Sequence, residues 1–268
     1  MSTSVRIAIH VFKESVRDKV LYGLVVFAII LIASSYLISQ LTAGQDVKII
    51  KDLGLAAIQA FGLFVAVFIG IGLVSKEIER RSIYSLLSKP VRRHEMILGK
   101  YVGLVLTLAV NVVIMILALY AVLGYMAWTT PENVRAAWDA AALDPAMLRA
   151  LVLIFVELML VTAIALLFST FSNTILSAAL TMSLYVVGHF SADLRNFGAV
   201  VDSQTVTFIA RVVYYLLPNL APFDVKAEVV HAVPVPVGYI ALTGGYAVAY
   251  IGALLIVSMF IFSRREFK

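Results

Sequence analysis

VSKEIERRSIYSLLSKPVRRHEMILGKYVG, from Val74 to Gly103, stands between two uninterrupted apolar segments, and the fold turns on how it is read. Seven of the chain's 21 Lys and Arg residues lie in it: Lys76, Arg80, Arg81, Lys89, Arg92, Arg93 and Lys100. Glu77, Glu79 and Glu95 offset them, leaving a net charge of +4. Ile78, Ser82, Ile83, Leu86 and Leu87 recur at helical spacing with charged residues on the other faces, so the first half is expected to be an amphipathic helix. Pro90 breaks it, because proline lacks a backbone donor and pushes Lys89 out of the helical region. A second helix restarts over Arg92 to Lys100 and runs on into apolar sequence. The expected shape is helix, elbow, helix, lying against a membrane surface.

The flanking sequence agrees with a membrane. Of 268 residues, 62% are hydrophobic and 14% charged, with a mean hydropathy of +0.99. A soluble domain is nearer about half apolar, so the chain reads as an all-α polytopic membrane protein. Its net charge of +5 does not point to nucleic acid, because the basic residues cluster beside apolar spans, where they set topology. The absence of cysteine excludes disulfides, thiolate metal sites and cysteine nucleophiles. Met1 to Lys19 is too charged for a cleavable signal, and the apolar run after it is long enough to span.

Six spans are expected, at about 20–41, 53–74, 97–127, 150–171, 175–190 and 237–262, within a single transmembrane domain covering 1–268. Ahead of them, Val5, Ile9, Phe12 and Val16 share a face opposite Arg6, Lys13, Arg17 and Lys19. That pattern suits an N-terminal interfacial helix, or a plain charged flank. Gly62, Ala66 and Gly70 form one small-residue stripe and Ala241, Gly245, Ala249 and Ala253 another, each expected to admit a neighbouring helix closely. Ser172, Asn173 and Thr174 turn spans four and five into an antiparallel hairpin. Ser191 to Pro236 is broken by charges. Its most apolar piece, Phe208 to Leu217, is too short to span and ends at Pro218, so a re-entrant or interfacial segment is expected before the last span. Counting Lys and Arg gives 14 on the side of the termini and the charged stretch against 7 on the other, which places both termini in the cytoplasm.

Polar residues inside spans are the candidate sites. Glu157 is ionisable and well inside span four, a costly position that marks either a transport path or gate or a structural pairing. Asn111 in span three is expected to hydrogen-bond to another helix. His189 and Asp193 stand four apart, but two ligands do not make a metal site, and no metal is expected. Gly99-Lys100 is the only Gly-Lys pair; Tyr101 follows it and His94 stands where a P-loop needs its first glycine, so this chain does not bind ATP that way. No Ser-His-Asp set, paired carboxylates or Gly-x-Ser-x-Gly is present within the spans.

Glu79, Arg80, Arg81, Leu86, Leu87, Pro90, Arg93, Gly99 and Lys100 are similar to the pattern between the second and third spans of ABC-2 type transporter permeases. Ser82 departs from it, where a glycine is common. The resemblance implies a permease subunit of an ATP-driven exporter in the cell membrane, paired with a second permease copy. ATP and Mg would be held by a partner ATPase subunit, with no cofactor in this chain. Docking on that ATPase would involve Glu77, Glu79, Arg80, Arg81, Leu86, Leu87, Pro90, Arg92, Arg93, Gly99 and Lys100, although Arg92 and Arg93 also suit anionic membrane lipids. Phe208 and Pro218, with Glu157 and Asn111, are candidates for a path or gate. Two rivals stand beside this reading. One is an intramembrane lipid-modifying enzyme centred on Glu157, His189 and Asp193, which lacks a convergent catalytic set. The other is an ion-coupled secondary transporter, for which internal repeats and several buried charges are expected and not seen.

Overall fold

The computed structural model describes residues 3–41, 46–79, 93–136, 138, 141–190, 205–208, 214 and 217–264; at 73–79, 93 and 264 it describes the backbone alone. Of the positions singled out above, Arg80, Arg81, Ser82, Ile83, Leu86, Leu87, Lys89, Pro90, Arg92 and Asp193 lie outside the described residues, as do the expected elbow and, apart from Phe208, Tyr214 and Leu217, the apolar piece Phe208 to Leu217. Among the described residues there is no strand. The helices are α1 Thr3–Ser15, α2 Lys19–Ser39, α3 Asp46–Glu79, α4 Arg93–Thr129, α5 Glu132–Arg135, α6 Met147–Ser169, α7 Thr174–His189, a 3-10 turn Ala221–Phe223, α8 Lys226–Val230 and α9 Val237–Arg264.

Five of these helices are long and apolar enough to cross a membrane: α2, α3 over Asp46–Gly72, α4 over His94–Thr129, α6, and α9 over Val237–Ser263. The helix at the expected fifth span, α7, has 16 residues, about 24 Å at 1.5 Å per residue, short of the roughly 30 Å hydrocarbon layer. A tight turn joins it to α6. There the Asn173 side chain accepts from the Leu176 amide at 2.8 Å, and the Ser172 and Ser177 hydroxyls are 2.6 Å apart. These bonds satisfy part of the N-terminal turn, where a helix has no backbone partners of its own. Asp18 caps α2 in the same way, accepting from the Val20 amide at 2.9 Å.

The helix α3 corrects a boundary. It begins at Asp46 rather than Leu53, so Lys48, Lys51 and Asp52 lie in its first turns. A helix satisfies its own backbone bonds whatever its side chains are, so the apolar run marks the bilayer crossing and not the end of the helix. At the other end the same helix passes through Lys76 to Glu79 without a break.

The centre of the bundle is the contact between α3 and α6, whose residues Leu55, Ile58, Val65, Leu153, Leu158, Val161 and Ala165 are fully buried. The first small-residue stripe makes that contact possible. A Cβ on Gly62 would run into Leu158 and one on Gly70 into Ala165, while Ala66 is fully buried. The second stripe behaves differently: Ala241, Gly245, Ala249 and Ala253 are exposed. Instead α9 packs on α6 and α4 and buries Thr243, Ala247, Ile251, Leu255 and Ser258. Small residues permit a close approach without deciding which neighbour makes it.

At the charged end α1 lies tightly on α4. A Cβ added to Gly99 would sit 2.7 Å from the Ser4 carbonyl, and one on Gly103 2.7 Å from the Ala8 carbonyl. Ala8, Val11 and Ser15 are buried in this contact face. Val5 and Ile9, from the face expected to meet the membrane interface, remain exposed.

Candidate functional site

A polar network on the side of the bundle where α3 and α6 begin and α7 ends joins these three helices to the segment that precedes α9. Two buried positions and one half-buried one define it: Glu157 on α6 has no solvent exposure, Gln59 on α3 has 5%, and His189, which ends α7, keeps 22% of its side chain exposed. Gln59 Nε2 donates to Glu157 Oε2 at 3.0 Å. On its other side, Gln59 Oε1 accepts from Lys226 Nζ, which is 3.5 Å from Asp224 Oδ2. The amide orientation is therefore set from both sides, since only the NH2 donates to a carboxylate and only the oxygen accepts from an ammonium.

Across the same carboxyl, His189 Nε2 lies 3.2 Å from Glu157 Oε1, and His189 Nδ1 is 3.1 Å from the Tyr185 carbonyl. A carbonyl only accepts, so Nδ1 carries a hydrogen. With a neutral ring, Nε2 then presents a lone pair to Oε1, and that buried oxygen has no donor. One added proton satisfies both atoms, either as imidazolium facing carboxylate or as carboxylic acid facing imidazole. The geometry thus has room for one shared proton between Glu157 and His189. The Tyr185 ring lies against His189, the ring centroids 4.5 Å apart and the planes tilted by 51°.

The segment over this network is folded down onto the bundle. Leu220, Phe223 and Val229 are fully buried, with Val225 and Val230 nearly so. The Leu220 amide donates to the Gly188 carbonyl at 3.0 Å, and a Cβ on Gly188 would meet Leu220 and the Pro218 carbonyl. The Asn219 amide donates to the Tyr246 hydroxyl at 2.8 Å, the Tyr239 hydroxyl to the Pro222 carbonyl at 2.7 Å, and Arg149 to the Val235 carbonyl at 2.6 Å. Phe208, by contrast, is exposed.

The other candidates fall elsewhere. Asn111 was expected to bond across helices; among the described residues its Nδ2 donates to the Thr107 carbonyl of its own helix at 2.7 Å. A side-chain amide one turn along can always reach back in this way. Lys100 is 2% exposed and Gly99 lies under α1, so both docking positions implied by the resemblance face the bundle. Glu77, Glu79 and Arg93 lie at the helix ends on either side of residues 80–92, which lie outside the described residues. No group of three or more His, Asp or Glu residues that could hold a metal ion occurs among the described residues.

Gln59, Tyr185 and Lys226 were not singled out in the sequence. Gln59 was within reach of the criterion that picked Asn111, a polar residue in an apolar span. Lys226 carried no such signal, because it belongs to a segment read as outer loop. Lys51, also missed, is completely buried 3.9 Å from Asp144, which in turn accepts from the Ala146 amide at the start of α6.

A comparison with curated proteins gives no match. The family model for ABC-2 family transporter proteins matches residues 5–267, from within α1 to beyond the end of α9. By that match the chain belongs to the ABC-2 transporter family and is a multi-pass membrane permease of an ABC transporter.

Proposed function

We propose that this chain is the non-catalytic membrane subunit of an ATP-driven exporter. It works as one domain of six spans in the cell membrane, with both termini cytoplasmic, paired with a second copy. A separate ATPase, which holds ATP and Mg, docks on residues 75–100. The observation that carries this reading is the length of two helices: α3 has 34 residues and α4 has 37, about 51 and 56 Å at 1.5 Å per residue, against roughly 30 Å of hydrocarbon. Both extend beyond the bilayer toward the charged stretch. A push there acts on two stiff rods, one of which carries Gln59 into the buried network.

In this reading the folded-down segment 217–236 is the outer gate and Lys226–Gln59–Glu157 its lock. It enters from the outer side and fills the depth that the short α7 leaves, covered by α3, α6 and α9 as backbone at membrane depth requires. Movement of α3 breaks the Gln59 bonds and frees the segment at Pro218.

Copurification on the tagged permease tests the docking. The ATPase is expected to be retained by the native chain and lost from the Glu79→Lys, Arg81→Glu double variant; equal retention by both sinks the assignment of residues 75–100.

A further inference from the structure

At the opposite end of the spans a cavity of about 350 Å³ opens between the turn after α1, the start of α2, the inner part of α3 and the start of α7. Asp18 caps α2 and Asn173 caps α7, so the mouth lies at the level where two spans begin. The counting of basic residues places that level on the cytoplasmic side. The walls are apolar, formed by Leu21, Val67, Phe68 and Ile71, while the rim carries Glu14, Arg17 and Asp18. We propose that this cavity binds a zwitterionic phospholipid of the inner leaflet that carries a primary ammonium, the phosphoethanolamine class. The inference goes beyond the exporter reading and holds whatever substrate is moved.

Three observations carry it. First, the volume falls within the range of ligand sites, about 300–1,000 Å³, and it is narrow enough to take part of an acyl chain rather than a whole lipid. Second, the change from charged rim to apolar wall follows the direction in which a lipid changes from headgroup to tail. Third, the rim carries both signs. Arg17 and Glu14 are exposed and three residues apart, which places them on neighbouring turns of the chain. Arginine's planar fork matches a phosphate, and a carboxylate accepts hydrogen bonds from a primary ammonium. The Asp18 side chain caps Val20 and Glu14 Oε2 lies 4.0 Å from His10 Nδ1 with its side chain half exposed, so Glu14 is the carboxylate with acceptor positions left for the ligand. A purely anionic headgroup would meet two carboxylates, and a quaternary ammonium has no hydrogen to donate to Glu14.

Gly72 supplies the sharpest test. It lines the cavity, and a Cβ there would meet nothing within 4 Å, so a large side chain at that position enters the cavity without displacing a helix. The full-length protein is reconstituted in phosphatidylcholine vesicles containing a phosphatidylethanolamine with a photoactivatable group in its acyl chain. Irradiation is expected to label peptides holding Val67 to Gly72 and Thr174 to Ala178. Unlabelled phosphatidylethanolamine competes; phosphatidylglycerol and soluble glycerophosphoethanolamine do not. Gly72→Phe abolishes labelling. Arg17→Gln and Glu14→Gln, surface changes that leave the packing alone, each reduce it by about five- to tenfold, as loss of one charge-assisted hydrogen bond implies. Unchanged labelling in Gly72→Phe, or in both rim variants, overturns the site, and equal competition by phosphatidylglycerol overturns the headgroup. A disulfide between Gly72→Cys residues of two copies in the membrane overturns the proposal as well, since the cavity face is then covered by a second copy.

Discussion

Room for one shared proton between Glu157 and His189 makes the two obvious substitutions at Glu157 behave differently. Glutamine there accepts from Gln59 through its oxygen and donates through its amide to the lone pair of His189 Nε2. Every bond of the network is then satisfied with a neutral imidazole. Leucine leaves the buried Gln59 amide without its acceptor, at about 1–3 kcal/mol, and takes the partner from the half-buried imidazole nitrogen as well. Heating the purified protein in detergent is expected to show Glu157→Gln unfolding close to the native temperature and Glu157→Leu well below it. If both melt alike, the carboxyl is not bonded as described. Transport by Glu157→Gln separates the two readings of this residue: a stable variant that fails to transport uses the shared proton, and one that transports normally has Glu157 for structure alone. The cost of a charge in hydrocarbon made Glu157 legible in the sequence. The rest of its network was not, because Gln59 is neutral and 98 positions away, and Lys226 joins only through Gln59, from which it is 167 positions away in the chain.

Between elements, the contact of α1 on α4 is the most demanding in the molecule. Gly99 and Gly103 admit backbone carbonyls of α1 to a distance that no side chain tolerates. Gly103→Leu is therefore expected to push α1 off α4 at a cost of about 1–3 kcal/mol or more, the usual penalty of overpacking. Trypsin should then cut at Arg6 or Lys13 several-fold faster. Gly124→Leu on the same helix, with open space around it, is the control and leaves the cutting rate unchanged; an equal change in both variants removes the special role of Gly103. Element existence was the most legible layer of the sequence, since 18 or more apolar residues in a row have few alternatives to a crossing helix. Helix ends were less so, as at Asp46, because charged residues continue a helix once it leaves hydrocarbon. Small-residue stripes marked where contact was possible, and only the one at Gly62, Ala66 and Gly70 meets a neighbour in this chain. The contact of Gly99 with α1 was not legible, because a glycine's neighbour across a helix pair lies far away in sequence.

For the whole molecule, orientation follows from 14 basic residues on one side against 7 on the other. With no native cysteine, single cysteines report without background: His10→Cys on α1 is expected to react with a membrane-impermeant maleimide only after the membrane is opened, and Val134→Cys on α5 in intact cells. Reaction of both from one side overturns the six-span arrangement. The gate is the remaining question at this scale, and the structure offers a way to close it reversibly. A Cβ on Gly188 would lie 2.8 Å from the Leu220 Cγ, about the separation that a disulfide's Cβ and far sulfur require, and 2.9 Å from the Pro218 carbonyl, so Gly188→Cys with Leu220→Cys should form a bond that ties segment 217–236 to α7 once that carbonyl gives by a few tenths of an ångström. If that segment must lift in each cycle, oxidation is expected to slow ATP turnover of the permease–ATPase complex by about tenfold or more, since a locked lid becomes the limiting step. Reduction restores it, and the ATPase stays bound throughout because the elbow at the far end of α3 is untouched. Full turnover and full transport in the oxidised complex would leave the segment as a fixed cover, with Lys226 and Gln59 serving to hold it down.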